Sequence, residues 1–226
     1  MEQRFVKQKY AEVELREAAD GSRTMVGYAS VFNNFSQNLG GFVEQVAPGA
    51  FADTLTRGGI VGLVNHDPNW LIATTDSGTL DVAEDERGLV YKMQLDPADP
   101  DSLRIASKIA SGKMRGSSFS FRTIADSWSV TEQGFPLRTL DQVELYDVGP
   151  VTTPAYRQTE DTDYAVSLRS LSANLGVPLD ELSDAARHEG LADYLIGERS
   201  ETVEAPASNA APKLAMARRR LDLQSR

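Results

Sequence analysis

The sequence predicts a mostly-β α+β domain followed by a helical tail, and three observations predict it. Short apolar runs with period-2 alternation recur between residues 11 and 156, most of them closed by Gly, Pro, Asn or Asp. Only two stretches in that span have helical character, and they interrupt the strands rather than alternate with them. That excludes a βαβ succession and leaves a barrel or sandwich of about eight strands with inserted helices. After residue 160 the periodicity turns helical, with Gly176 and Gly190 as breaks.

Taken in order, Ala11, Val13 and Leu15 alternate with Glu12, Glu14 and Arg16, a half-buried strand over 11–17. Asp20-Gly21-Ser22 turns the chain, and Met25–Phe32 returns as the second arm of a hairpin. Phe42–Val46 is a short strand and Ala50–Leu55 a short helix ended by Gly58-Gly59. Ile60–Val64 suits a buried strand that stops before Pro68, which cannot donate to a ladder. Residues 78–95 read as a hairpin with arms at 79–82 and 89–95. Asp99 or Asp101 can cap a helix over 102–111, whose apolar face is Leu103, Ile105, Ala106, Ile109 and Ala110. A strand at about 117–124, an arm containing Trp128, a Gly134-Phe135-Pro136 loop and a strand over 143–148 follow. Residues 151–156 form an extended segment, with Pro150 before it and Pro154 near its far end. Helices are expected over 168–175, 179–187 and 191–196, a linker composition over 200–212, and a short basic helix over 213–223.

The chain has 226 residues, enough for one sizeable domain with an appendage. It contains no cysteine, so disulfides, thiolate metal sites and a cysteine nucleophile are excluded. Net charge is −10, which argues against nucleic-acid binding through the main body. No stretch has the length and apolarity of a signal core or membrane span, so an intracellular soluble protein without membrane contact is expected. No Gly-rich phosphate loop occurs, and no cofactor or metal site is expected.

Hydrolysis by a serine needs a nucleophile, a base and a group that orients the base. Only two histidines are present, and His66 alone lies in the β-rich body, at the end of an apolar strand. In Arg115-Gly116-Ser117-Ser118-Phe119-Ser120-Phe121, a period of two places Ser118 and Ser120 on one face and Phe119 and Phe121 on the other. Downstream, the same period groups Val143, Leu145 and Asp147 against Glu144, Tyr146 and Val148. An acid after two apolar residues on one face makes Asp147 the better orienter, with Glu144 second. The same residues also fit plain structural uses: a loop histidine, half-buried serines and an aspartate capping the turn before Gly149-Pro150.

Six stretches in register carry a resemblance. They are Gly27–Phe32, Val43–Phe51, Asn65-His66-Asp67-Pro68, Ser77–Leu80, Gly116–Phe121 and Leu145–Tyr156. Together they resemble the prohead (capsid maturation) serine proteases of tailed bacteriophages, over about residues 8–160. The resemblance implies a herpesvirus-assemblin-like fold, an antiparallel barrel of about seven or eight strands ringed by helices. It implies a serine endopeptidase, possessing no cofactor, that acts inside the procapsid in the host cytoplasm. Its substrates would be scaffold, the scaffolding domain of the major capsid protein, and its own chain; a homo-oligomer is also within the family's range.

By the same resemblance the base falls on His66 and the nucleophile, in a Gly-x-Ser-Phe context, on Ser118. Herpesvirus relatives use a second histidine as third member. His188 lies beyond the matched region, so an acid is expected in that role: Asp147, where the phage pattern usually has the longer Glu, with Glu144 as alternative. Ser120 stands where the family often has Gly. Arg138 and Arg115 are oxyanion candidates from position alone. Residues 1–160 would form the protease domain, 161–199 a helical extension, and 200–226 a flexible linker with the basic helix. The competing expectation is a non-catalytic capsid-assembly or scaffold protein that retains the fold.

Overall fold

A computed structural model of the chain describes residues 1–5, 13–152 and 166–201. In chain order the strands are β1 (Glu2–Phe5), β2 (Glu14–Glu17), β3 (Arg23–Val31), β4 (Val43–Val46), β5 (Val61–Leu63), β6 (Leu71–Thr74), β7 (Leu80–Glu84), β8 (Gly88–Leu95), β9 (Gly116–Val130) and β10 (Pro136–Val151). The helices are α1 (Ala52–Arg57), between β4 and β5; α2 (Pro100–Ala110), between β8 and β9; and α3 (Arg169–Leu175), α4 (Leu179–Arg187) and α5 (Leu191–Glu201) after β10.

The strands form two sheets. One runs β1-β9-β10-β5-β6, with β4 also on β10; the other runs β2-β3-β8-β7. The expected hairpins β2–β3 and β7–β8 are present and antiparallel. Against the anticipated antiparallel barrel of seven or eight strands, the described residues hold ten strands in two sheets. Two pairings are parallel, β10 with β4 and β10 with β5. The reason lies in β9 and β10, which are 15 and 16 residues long. Each is long enough to serve different neighbours along its length: β10 pairs with β4 at Leu137–Leu140 and with β5 at Asp147–Val148.

One core lies between the sheets. Met25, Tyr91 and Met93 of the second sheet pack in the same buried cluster as Phe119, Phe121, Leu145 and Val148 of the first. The Phe119 ring stacks on Phe121 at 5.0 Å and meets Phe51 edge-on at 5.6 Å. Burial of each such ring stabilises by roughly 2–3 kcal/mol, which pins β9 along its apolar face. Helix α2 is capped as expected. The Asp99 carboxylate accepts from the backbone N–H groups of Asp101 and Ser102, and Pro100 fills the first turn. Its buried face is Ser102, Ile105, Ala106 and Ile109; Leu103 and Ala110, expected inward, are exposed.

A second apolar cluster joins Leu168, Leu171, Leu182 and Leu191 to Leu39 and Phe42, with Trp128 against it. Gly41, at φ +107°, lets the end of α4 approach: a Cβ there would lie 2.3 Å from the Ala186 carbonyl oxygen. One compact unit thus spans Met1–Leu195 and includes α3, α4 and the start of α5; a second unit spans 196–226. Ala11 of the first expected strand, Thr153–Tyr156, most of the 200–212 linker and the basic helix lie outside the described residues. No helix among those described is long and apolar enough to cross a membrane.

Candidate active site

Three strands converge on one point. β9 carries Ser118, its partner β10 carries Asp147, and β5, on the other side of β10, delivers His66 just past its end. Ser118 and Ser120 share the face opposite Phe119 and Phe121. Ser117, on the core side, gives its hydroxyl to the Tyr91 phenol oxygen at 3.1 Å. Burial pushes the Tyr91 phenol well above its ordinary pKa.

Asp147 reaches the serine face by a route that simple alternation hides. The β9–β10 register slips between Leu145 and Asp147, so Leu145 opposes Phe121 while Asp147 opposes Ser120. One extra residue, Tyr146, is accommodated by a bulge, and the carboxylate is re-aimed from the core side to the site. The expectation that Val143, Leu145 and Asp147 share a face is therefore corrected, although Asp147 itself stands at the site.

His66 is aimed by backbone conformation. Asn65 and His66 both have left-handed φ, 56° and 57°. Asn tolerates this region; for His it costs on the order of 1 kcal/mol, held here by the surrounding structure. The holding contacts are the Asn65 N–H on the Pro150 carbonyl at 3.0 Å, and the Thr152 N–H on the Asn65 side-chain oxygen at 2.9 Å. The end of β5 also passes tightly over β10. A Cβ on Gly149, the partner of Ser118, would lie 1.8 Å from the Leu63 carbonyl oxygen, so only glycine fits.

The result is a continuous hydrogen-bonded chain. His66 Nδ1 lies 2.5 Å from Asp147 Oδ1, and His66 Nε2 lies 2.5 Å from Ser118 Oγ. An ionised carboxylate only accepts, so the proton sits on Nδ1 and Nε2 faces the serine as an acceptor. The other Asp147 oxygen accepts a short hydrogen bond from the Ser120 hydroxyl. The His66 and Asp147 side chains are 6% and 4% exposed, and Ser118 is fully buried. Ser118 Oγ also lies 2.9 Å from the backbone oxygen of Arg4 in β1.

Glu144 is elsewhere. Its carboxylate accepts from the Tyr146 hydroxyl at 2.8 Å and pairs with Arg122 at 2.8 Å and Arg57 at 3.7 Å. The Tyr146 hydrogen bond first, and then the two arginines, hold it below the usual carboxylate range. His188 sits exposed at the end of α4, its Nδ1 near the Asp184 carbonyl.

The two oxyanion candidates are committed to other partners. Arg138 is 1% exposed and sits in a buried ion cluster. Its Nη1 donates to Glu2 at 2.8 Å and Glu44 at 2.9 Å, its Nε to Asp126 at 2.6 Å, and its Nη2 to Thr123 at 2.9 Å. Arg115 is exposed and donates from Nε to the Gly112 carbonyl that follows α2. Sequence reasoning missed β1, the ion cluster and the contact of Arg4 with Ser118. The one available signal was the charge alternation in Glu2-Gln3-Arg4-Phe5. No group of three or more His, Asp or Glu side chains suited to a metal occurs among the described residues.

Comparison with known proteins gives three findings. The family model of caudovirus prohead serine proteases matches residues 9–175. The prohead protease of Enterobacteria phage HK97 is 28% identical over 153 residues, covering 66% of this chain and 64% of that protein, so the chain spans just under two thirds of its relative's length. The solved structure of the bacteriophage T4 capsid assembly protease, gp21, aligns with a TM-score of 0.39 and 11% identity, over 67% of this chain and 99% of that one.

Proposed function

Because the chain belongs to the family of caudovirus prohead serine proteases, we propose that it is a serine endopeptidase of procapsid maturation. Its substrates are the scaffold or the scaffolding domain of the major capsid protein, and its own chain. It works inside the procapsid, in the host cytoplasm, through residues 1–160. The two sheets around one core are, on this reading, an assemblin-like barrel.

The observation that carries the proposal is His66 held between Ser118 and Asp147 at 2.5 Å on either side. Ser118 Oγ attacks the scissile carbonyl carbon while His66 Nε2 takes its proton. Asp147, fixed by Ser120, keeps the imidazole in the tautomer with Nδ1 protonated and stabilises the imidazolium that forms. The proton then passes to the leaving amine, and water hydrolyses the acyl-enzyme by the same base. With Arg138 spent in the ion cluster, backbone N–H groups are the donors for the oxyanion.

The test separates neighbouring hydroxyls. Ser118→Ala abolishes cleavage of the cognate capsid precursor, whereas Ser117→Ala, which removes a core hydrogen bond, retains it. The opposite pattern would transfer the nucleophile to Ser117. Unchanged cleavage in both would favour a non-catalytic assembly role for this chain.

A further inference from the structure

We propose that β1 occupies the substrate-strand site: it lies on the edge of β9 as a stand-in for the peptide to be cut, with Arg4 in the subsite beside the nucleophile. The substrate that replaces it is an extended peptide with an arginine at that position, read by Glu44. This rests on the serine endopeptidase reading above.

Four observations converge. First, β1 is the outermost strand of its sheet among the described residues and runs antiparallel to β9, with Phe5 opposite Ser118 and Arg4 opposite Phe119. Strand addition to a sheet edge is a general way of holding an extended peptide by its backbone. Second, the Arg4 carbonyl oxygen is the backbone group at Ser118 Oγ, at 2.9 Å, where a scissile carbonyl must come. Third, Ser118 has a single proton and two acceptors, Nε2 of His66 and that carbonyl. The nucleophile is fully buried, so a substrate reaches it only when the cover moves.

Fourth, the Arg4 side chain fills a built cage. Its Nε and Nη2 take both oxygens of Glu44 at 2.6 and 3.1 Å, and Nη2 also meets Glu2 at 2.7 Å and Ser167 at 3.1 Å. The guanidinium lies 5.4 Å from the centre of the Phe121 ring. Two-pronged carboxylate contact selects a planar cation strongly, because a neutral side chain leaves Glu44 short of donors.

The strand can leave without changing the net charge of the cluster, although Glu44 gives up its two Arg4 contacts until an incoming cation restores them. β1 brings one carboxylate and one guanidinium, Glu2 and Arg4. Its departure leaves Arg138 still bonded to Glu44 and Asp126. β9 also continues past the segment that β1 covers. A cleft of about 240 Å³ opens there, lined by Met1, Arg122, Ile124 and Arg169, along the path of a longer peptide.

The test uses the full chain and a fluorophosphonate, which phosphonylates an activated serine. Arg4→Ala loosens β1 and should speed labelling by about tenfold or more over wild type, the size expected for losing charged hydrogen bonds. Gln3→Pro, which disturbs the edge strand without entering the ion cluster, should act in the same direction. Slower labelling in both variants would show β1 to be a support of the site and overturn the proposal. For specificity, two fluorogenic peptides are compared, identical except for Arg or Met before the scissile bond. Wild type should favour Arg by at least about tenfold, and Glu44→Gln should collapse that ratio. Equal cleavage of the two peptides by wild type would overturn the assignment of Glu44. Failure of the underlying protease reading looks different: no variant, wild type included, would label at Ser118.

Discussion

Gly149→Ala adds one methyl group and leaves Ser118, His66 and Asp147 untouched, yet it should abolish the proposed serine reactivity. The added Cβ would sit 1.8 Å from the Leu63 carbonyl oxygen, where contacts under 3.0 Å essentially never occur. Relief needs a displacement of about 1.2 Å between the end of β5 and β10, the difference of those two values. Neither side is a flexible side chain; both are backbone in a paired sheet. Leu63 stands three residues before His66, and Gly149 is the partner of Ser118. Passed on in full, the shift opens the 2.5 Å contact of His66 Nε2 with Ser118 Oγ to about 3.7 Å, beyond hydrogen-bond reach. A misplacement of about 1 Å costs on the order of 100-fold in rate, and overpacking costs about 1–3 kcal/mol of stability. The assay is fluorophosphonate labelling of Ser118 beside thermal unfolding of the same samples. Wild-type labelling with wild-type stability would refute the idea that this crossing sets the distance from base to nucleophile.

Three further outcomes follow from the same geometry. Asp147→Asn keeps the shape but cannot hold the required imidazole tautomer, so cleavage should fall by several orders of magnitude, about 10⁴, with little change in unfolding temperature. Arg138→Met should act on stability first: it leaves Glu2, Glu44 and Asp126 short of their cation and should cost about 3–5 kcal/mol in denaturant unfolding. A large loss of rate in folded Arg138→Met would restore the oxyanion role. Acid should weaken the fold through Glu2. Burial alone would raise its carboxyl, but Arg4 and Arg138 overcome this and hold it at about 2. A carboxyl depressed in the folded state stabilises above its unfolded value, near 4.5, and that contribution fades as pH falls towards 2. The loss is roughly 3 kcal/mol and should be missing in Glu2→Gln, followed by unfolding at a series of pH values.

The parts of this molecule that obey local periodicity were legible in the sequence. Phe119 and Phe121 against Ser118 and Ser120 read directly as two faces of one strand, and Ile60–Val64 followed by Pro68 located the loop of His66. Asp99 ahead of Pro100 marked the start of α2. Long-range features were not legible. β1 has only Phe5 as an apolar residue; it is a strand because Glu2 and Arg4 complete an ion cluster with Glu44 and Arg138, residues far along the chain. β6 is a four-residue strand whose first residue, Leu71, is exposed, so it is too short to show a period of its own and was not assigned from the sequence. The polar stretch 122–129 masked the continuity of β9, because its pairing comes from β10 rather than from burial. The bulge at Tyr146 inverted the alternation that selected Asp147, so a residue that lies beside His66 was reached through a face it does not occupy. Arg138 looked available on paper because nothing in its neighbourhood announces three carboxylates.

The most direct test is the intact mass of wild type and Ser118→Ala, each co-expressed with the cognate major capsid protein. The account predicts a trimmed precursor with wild type alone, and fragment masses that place an arginine before the cut. Trimming by both proteins would contradict it, since the nucleophile would then not be Ser118.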